Sequence, residues 1–411
     1  MGRDSSKIVI AIDVGTAQVS VVGARVAPDF PTEIVAYGMS ASLGMHKAAV
    51  SSVDDASFAI RAALEDAGLE GKMRDSEVIV GVSGKHIASL NTTGEAAVER
   101  SDGAVTQRDV QRALASARSP GLGEEVTLLH QIVRGYRVDG YRCRRDPAGM
   151  HGKTLQAETH LVTAGLDAVK NLKRAVGMAG KDADRLVASG LMSALAVLRR
   201  EEREMGAVVL DIGHGVTDIV AYADGAVVHT SALPLGGHQL INDISVALNT
   251  SLHVSQSVLK EHGRGVLDPA TADNEITVPC YGLSGERRAR QRYLVNVIRL
   301  RLGELFQVSM DRVRQAMPDA SFTAGVVICG GVARLPGIEA IAEEALKMPA
   351  RIGSASRASN GPDLLQGPQF ATLIGMVQGY ADPSYAPVAE GKGGQPAGGL
   401  RLLPQLLGSR S

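Results

Sequence analysis

The apolar run IVIAI (8–12) stops at Asp13, turns through Gly15 and resumes in VSVVGARV up to residue 26. The same plan returns in VVLDIGHGVTDIV (208–220): Asp211 ends the run, Gly213 and Gly215 follow, and Asp218 lies near the start of the next run. Apolar, β-branched runs of this length bounded by glycine predict buried strands. Past the second copy, Asp224-Gly225 between apolar residues predicts a two-residue hairpin. In the first half the matching turn is APDFPTE (27–33), ahead of IVAYGM. Each half reads as strand, turn, strand, turn, strand.

The echo continues with EVIVGVSG (77–84) and GVVICGG (325–331), both short strands that end in glycine. Two copies of one βββ unit, each with later strands and helices, predict two similar α/β domains facing each other across a cleft. Apolar stripes at helical spacing predict helices over 53–69, 167–180, 189–206 and 291–317, the last broken near Gly303.

A chain of 411 residues suits two domains with inserted subdomains. With 45% hydrophobic and 21% charged residues the composition is globular. A formal charge of −1 argues against a broad surface that tracks nucleic-acid phosphates. Trp is absent and aromatics are 3%, so the core is expected to be Val, Ile, Leu and Ala. Cys143, Cys280 and Cys329 are far apart and form no CxxC, which speaks against a zinc site or a disulfide framework and fits a reducing cytoplasm. The first strand starts too early to leave room for a signal peptide, and no apolar run is long enough to span a bilayer.

A glycine turn leaving a strand can aim successive backbone N–H groups at one anion, and the missing Cβ lets phosphate approach. Two such turns, one per domain, could clamp a polyphosphate. Asp13 and Asp211 would repel it unless Mg²⁺ lay between, held by the carboxylates through water. The plainer alternative is that a strand-end Asp-x-Gly is ordinary turn chemistry. Two copies in matched places, and a third glycine turn in CGGVARLPG (329–337), favour the ligand reading.

On these residues the chain resembles the actin/Hsp70/sugar-kinase ATPase superfamily, and within it the FtsA family of bacterial cell-division proteins. IDVGTAQVSVV sits where the superfamily has its first phosphate loop, LDIGHGVTDI resembles the second, VVICGGVARLPGI resembles the adenosine motif, and ASGLMSALAVL (188–198) lies where the first connecting helix belongs. The FtsA resemblance rests on SGKHI (83–87), VTQRDVQRALASARS (105–119), QAETHLVTA (156–164) and His262-Gly263. It implies a duplicated actin-like ATPase fold, α/β in class, that binds ATP and Mg²⁺. The implied nucleotide contacts are Asp13, Gly15, Thr16 and Gln18; Asp211, Gly213, His214, Gly215 and Thr217; Gly236, Gly237, Gln256 and Lys260; and Gly330, Gly331 and Arg334. The implied division of the chain is a first core subdomain over 1–83 and 161–203, an inserted small subdomain over 84–160, a second core subdomain over 204–235 and 326–383, a second small subdomain over 236–325, and a tail over 384–411.

The chain departs from the family pattern in places. Gln18 stands where most relatives carry Lys, His214 and Val216 where the second loop usually has Gly and Thr, and Gln256 where the purine-side helix usually has Glu; Lys260 is one place out of register with a family Lys. His214 reads as a loop surface residue. Between Leu186 and Leu198 there is no acid, amide or His to orient an attacking water, and Gly190 lies about where Hsp70 has its acid. Beyond the two loop aspartates no catalytic acid is found, so the expectation is a nucleotide-regulated assembly protein with slow or negligible turnover.

The resemblance also implies partners: the C-terminal peptide of the tubulin-like FtsZ, further copies of the chain in filaments, and later division proteins bound through 84–160. The family's Arg-x-x-Glu for the FtsZ peptide falls on Arg301 and Glu304, whose spacing puts them on one helix face, expected exposed. By spacing alone they could equally be a surface ion pair. After the linker GKGGQPAGG (391–399), the tail carries Leu400, Leu402, Leu403, Leu406 and Leu407 with Arg401 and Arg410, interrupted by Pro404. The tail is expected to touch anionic lipid, Leu400, Leu403 and Leu407 entering the interface, which places the protein on the cytoplasmic face of the membrane at the division site. Two other readings stand beside this one: a PilM-like actin-fold scaffold of a pilus or secretion system, and an actin-fold phosphotransferase.

Overall fold

The first apolar run forms a hairpin buried on both faces: β1 (Lys7–Val14) pairs antiparallel with β2 (Gln18–Ala27), Asp13 opposite Ser20. The structure, a computed structural model, describes residues 6–27, 30–70, 76–118, 122–143, 146–281, 285–355 and 363–388. β3 (Phe30–Ala41) lines the far side of β2; it resumes at Phe30, earlier than the turn read over 27–33. A short ladder of β4 (Met45–His46) and β5 (Ala49–Val50) leads into α1 (Val53–Asp66), capped by the Ser52 hydroxyl, which accepts from the Asp55 N–H. β6 (Glu77–Val82) then joins β1 in parallel.

An insertion follows. β7 (Ala88–Ala97), α2 (Gln107–Arg118), β8 (Val126–Val138), β9 (Tyr141–Cys143) and β10 (Thr154–Gly165) make an antiparallel sheet of order β7-β10-β8-β9 with α2 on one face. Its core is small: Val105, Val110, Leu114 and Leu155 with a few alanines. The edge strand β7 also reaches the second half of the molecule.

The chain returns to the first lobe through α3 (Leu166–Met178) and β11 (Arg185–Ala188), the latter parallel to β6. The segment 189–206, read above as one helix, is two: α4 (Ser189–Val197) and α5 (Arg200–Met205). Leu198 between them is extended, and the carbonyls freed there are taken by arginines. Arg203 donates to Leu195 and Leu198, and Arg351 donates to Val197 while gripping Glu202.

The second lobe repeats the first. β12 (Ala207–Ile212), β13 (Thr217–Ala223) and β14 (Ala226–Leu233) follow in antiparallel order. Asp224 and Gly225 both have positive φ (52° and 78°), as a tight hairpin requires. Next come α6 (Gly237–Leu248), α7 (Leu252–His262), the ribbon β15 (Glu275–Pro279) and β16 (Glu286–Arg290), and α8 (Gln291–Ala316). α8 runs unbroken through Gly303. A Cβ there would meet nothing, and the buried stripe Leu294, Ile298, Leu302, Leu305, Ser309, Val313 is uninterrupted. β17 (Gly325–Cys329) lies parallel to β12, then come α9 (Ile338–Leu346), β18 (Ala350–Ile352) and α10 (Ala371–Ala381). The orders β11-β6-β1-β2-β3 and β18-β17-β12-β13-β14 are the same topology twice.

Neighbouring residues of β12 serve different cores. Val208, Leu210 and Ile212 pack with α6, α8 and α9, whereas Ala207 and Val209 join the cluster that contains α4 and α10. α4 and α10 touch backbone to backbone: a Cβ on Gly375 would come within 1.8 Å of the Met192 carbonyl oxygen. Gly375→Val should therefore cost about 3 kcal/mol, read as a lower urea midpoint; an unchanged midpoint would mean that the two helices do not meet there.

The insertion is fastened to the edge of the second sheet by polar groups, of which His160 and Thr230 are buried. Ser89 Oγ accepts from Thr230 N (2.9 Å), Asn91 Nδ2 donates to the Val228 carbonyl (2.9 Å), and His160 bridges Asn91 (2.8 Å) and Thr230 (3.0 Å). Side chains of β7 thus occupy backbone groups that an edge strand leaves open. Among the described residues no helix is long and apolar enough to cross a membrane.

Candidate functional site

The two copies of the Asp-turn-Gly unit fold alike. In the first turn Gly15 N–H donates to the Gln18 carbonyl (3.0 Å), and in the second Gly213 N–H donates to Val216 (2.9 Å). In the first copy Asp13 faces Ser20 across its hairpin; in the second, Asp211 faces Asp218. The turns approach so closely that a Cβ on Gly215 would lie 2.8 Å from Thr16 Oγ1. Between the lobes they border a cleft of about 360 Å³, within the usual range for a small-molecule site.

The cleft gathers most of the residues singled out from sequence. Asp13, Gly15, Thr16 and Gln18 line it from the first lobe. Asp211, Gly213, His214 and Gly215 line it from the second, with Gly330, Gly331 and Arg334 of the third glycine turn. The others lie elsewhere. Thr217 is buried and donates its hydroxyl to the Leu235 carbonyl. Gly236 and Gly237 back the second turn, Gly237 N–H donating to Gly213 (2.9 Å) and His238 N–H to His214 (2.7 Å). Gln256 and Lys260 are exposed on α7 and do not line the cleft. Gln18 lines it with its amide already engaged, donating to Ser20 Oγ (2.6 Å) and Met39 Sδ (3.0 Å).

The cleft floor gathers three carboxyl groups, Asp13, Asp211 and Asp218. Burial, then the neighbouring Asp211, pushes the Asp13 carboxyl up to about 7. Burial raises Asp211 too, against the pull of hydrogen bonds from Ser193 and Thr372. Asp218 is raised well above the usual carboxylate range by burial and then by Asp211, although Ser83 of the opposite lobe holds both its oxygens at 2.9 and 2.7 Å. No Lys or Arg is ion-paired with any of the three among the described residues. Such a set favours a cation. No group of three or more His, Cys, Asp or Glu is arranged to ligate a metal directly among the described residues, so a hydrated ion fits better than a bare one. Gly330 leaves room beside Asp211: a Cβ there would come within 2.4 Å of Asp211 Oδ1.

Asp218 is a cleft residue absent from the contacts expected from sequence, although it lies in the second Asp-turn-Gly copy. Its pairing opposite Asp211 was implicit in the hairpin, but the contact with Ser83 spans 135 residues. It also takes the space at Gly190, whose Cβ would meet Asp218 Cβ at 2.8 Å. The cleft therefore holds a third acid, beyond the two loop aspartates.

Arg301 and Glu304 share a face of α8, as their spacing implied, and are bonded at 2.6 Å. Arg301 is less open than expected: its side chain is 28% exposed, and Asp243 of α6 takes its fork through Nε and a second nitrogen. Leu400, Leu403 and Leu407 lie outside the described residues.

Comparison with known proteins places this geometry. Residues 208–375 match the family model described as Cell division protein FtsA, and residues 84–163 match that of the SHS2 domain inserted in FTSA. The chain is 31% identical over 376 residues to the cell division protein FtsA of Neisseria meningitidis serogroup B, covering 91% of this chain and 90% of that one. The Escherichia coli K12 protein of the same name is 31% identical over 378 residues, with 90% of each chain covered, and that of Bacillus subtilis 27% over 375 residues, with 91% and 84% covered. Among solved structures, a PilM-PilN type IV pilus biogenesis complex aligns with a TM-score of 0.63 at 18% identity, over 91% of this chain and 99% of that one. MreB5 of Spiroplasma citri bound to ADP aligns with a TM-score of 0.54 at 14% identity, over 92% and 97%. These structural likenesses establish an actin-like fold.

Proposed function

Because the chain belongs to the FtsA family of cell-division proteins, we propose that it is an ATP-binding, actin-like adaptor that polymerises at the membrane, tethers FtsZ there and recruits later division proteins through 84–160. The observation that carries the nucleotide part is the pair of Asp-turn-Gly loops, closed by matching backbone bonds, on opposite walls of one cleft, over carboxylates that no Lys or Arg pairs among the described residues. Mg²⁺ supplies the charge that lets carboxylate and phosphate share this space. Asp13 and Asp211 would hold it through water. The loop glycines would let phosphate approach the backbone, and Gly330, Gly331 and Arg334 would face the nucleoside. Calorimetry with Mg²⁺-ATP tests this part: saturable binding is expected below millimolar nucleotide, and none at that level would refute it.

The FtsZ part rests on Arg301, whose fork is the kind that receives a peptide carboxylate. Asp243 already fills that fork, so an incoming carboxylate would exchange with Asp243 rather than meet a vacant cation. The membrane part rests on the leucines of the tail. Burying them gains about 25 cal/mol per Å² of apolar surface, while ordering a free tail costs about 1–2 kcal/mol per residue. A monomer should bind weakly and a filament strongly, through many tails at once. Deleting 400–411 should release the protein from anionic vesicles in flotation without changing nucleotide binding. Flotation of the shortened chain at full level would place the anchor elsewhere.

A further inference from the structure

The phosphate end of the cleft is short of charged side-chain donors. Where a lysine would stand, Gln18 has turned its amide to Ser20 and Met39. Among the described residues that line it, Arg334 is the only Lys or Arg, and it belongs to the third glycine turn and to neither phosphate loop. Thr16 Oγ1 accepts from Ala48 N–H (3.0 Å). His86, on the first-lobe wall, accepts at Nδ1 from Gly165 N–H (3.4 Å), which puts its own proton on Nε2, on the wall opposite the second loop.

His214 is different. It sits between Gly213 and Gly215, at the point where the second loop meets the first, and its half-buried ring lines the cleft. No protein hydrogen bond holds either ring nitrogen among the described residues. The ring is nevertheless placed: it packs edge to face on His238, centroids 5.5 Å apart at 65°, and the backbones of the two residues are joined by the His238 N–H to His214 carbonyl bond at 2.7 Å. Burial and then His238 keep its pKa below the ordinary imidazole value, so at neutral pH it is an uncharged ring with one N–H to donate.

We propose that the His214 imidazole is the side-chain donor that the second loop itself offers to the polyphosphate of a bound nucleotide, in the place left by Gln18, with His238 as its positioning residue. This rests on the nucleotide reading above. It departs from the expectation that His214 is a bystander on the loop surface, and it gives a reason for a bulky ring in a loop otherwise built to be small.

The test is calorimetry on the full chain in excess Mg²⁺ with ATP and with adenosine. His214→Ala should weaken ATP about ten-fold, the cost of one hydrogen bond to a charged group, and leave adenosine unchanged. His214→Asn, which keeps an N–H donor, should recover part of the loss. His238→Ala should weaken ATP less, and should add nothing to His214→Ala if it acts only through that ring; additive losses would remove His238 from the proposal. Equal or tighter ATP binding by His214→Ala would overturn it, since the ring would then merely crowd the loop. So would equal losses for ATP and adenosine. Absence of ATP binding by the unaltered chain would overturn the nucleotide reading itself.

Discussion

Replacing Asp211 with asparagine should yield a protein that is more stable when empty and no longer gains nucleotide affinity from Mg²⁺. The stability half follows from three carboxylates crowded in one cleft floor. A carboxyl whose folded pKa is raised, as for Asp13 at about 7 against an ordinary 3.8, favours the folded state only while it is protonated. That stability is complete below the unfolded pKa and is lost as pH rises from about 4 to about 7. Above that range the Asp13 contribution is gone. Asp211 repels both Asp13 and Asp218 directly, so neutralising it should raise stability at pH 8 by about 1–2 kcal/mol, on the scale of one pKa unit per 1.4 kcal/mol. The gain should vanish near pH 4. Asparagine keeps an oxygen for the Ser193 and Thr372 hydroxyls, so packing should survive. The binding half follows from the same charge: losing a group that holds the ion through water should cost about 10–100-fold in Mg²⁺-dependent affinity. Urea titrations at pH 5 and pH 8, and ATP binding with and without Mg²⁺, check both. A variant less stable at pH 8 that still responds to Mg²⁺ would mean that Asp211 is a structural residue. Stability surrendered at a site in favour of a ligand is a common pattern, and the sign of this effect distinguishes it.

Arg301→Glu should abolish binding of the FtsZ C-terminal peptide. Removing the arginine loses the fork, and glutamate adds a third negative charge beside Asp243 and Glu304. Truncating one partner of a bonded charge pair costs about 2 kcal/mol or more at an interface, roughly thirty-fold. Because Arg301 ties α8 to α6, a second substitution separates binding from folding. Arg301→Ala should also lose the peptide while keeping the urea midpoint within about 1 kcal/mol of stability, as expected for a partly exposed pair. Fluorescence polarisation with labelled peptide reads the binding. Unchanged affinity in both variants would move the contact away from Arg301.

The duplicated architecture was legible because its signals are local. An apolar strand, an aspartate and a glycine turn occupy ten or so consecutive residues, and Asp224-Gly225 dictates its own hairpin. What was not legible depends on distant partners. The break between α4 and α5 is stabilised locally by Arg203 and the Glu202 cap and, from far along the chain, by Arg351 on β18, which donates to Val197 and Glu202; the distant partner cannot be read within 189–206. Gly303 looked like a break because glycine is a poor helix former, but its position on an unburied face of α8 lets the buried stripe carry the helix through. Asp218 read as an ordinary polar residue near a strand start until the fold set Ser83 against it and Gly190 made room for it. Gln256 and Lys260, implied by the resemblance, lie on the exposed side of α7.

As a link between FtsZ and a membrane, one chain must hold both at once. The most direct measurement mixes fluorescent FtsZ, anionic vesicles and the full-length chain with Mg²⁺-ATP, and asks where FtsZ floats. FtsZ should rise with the vesicles only when the chain is present, and should stay in the soluble fraction when the chain carries Arg301→Glu or lacks 400–411. FtsZ that remains soluble beside the unaltered chain, or that floats equally well with either variant, would contradict the account.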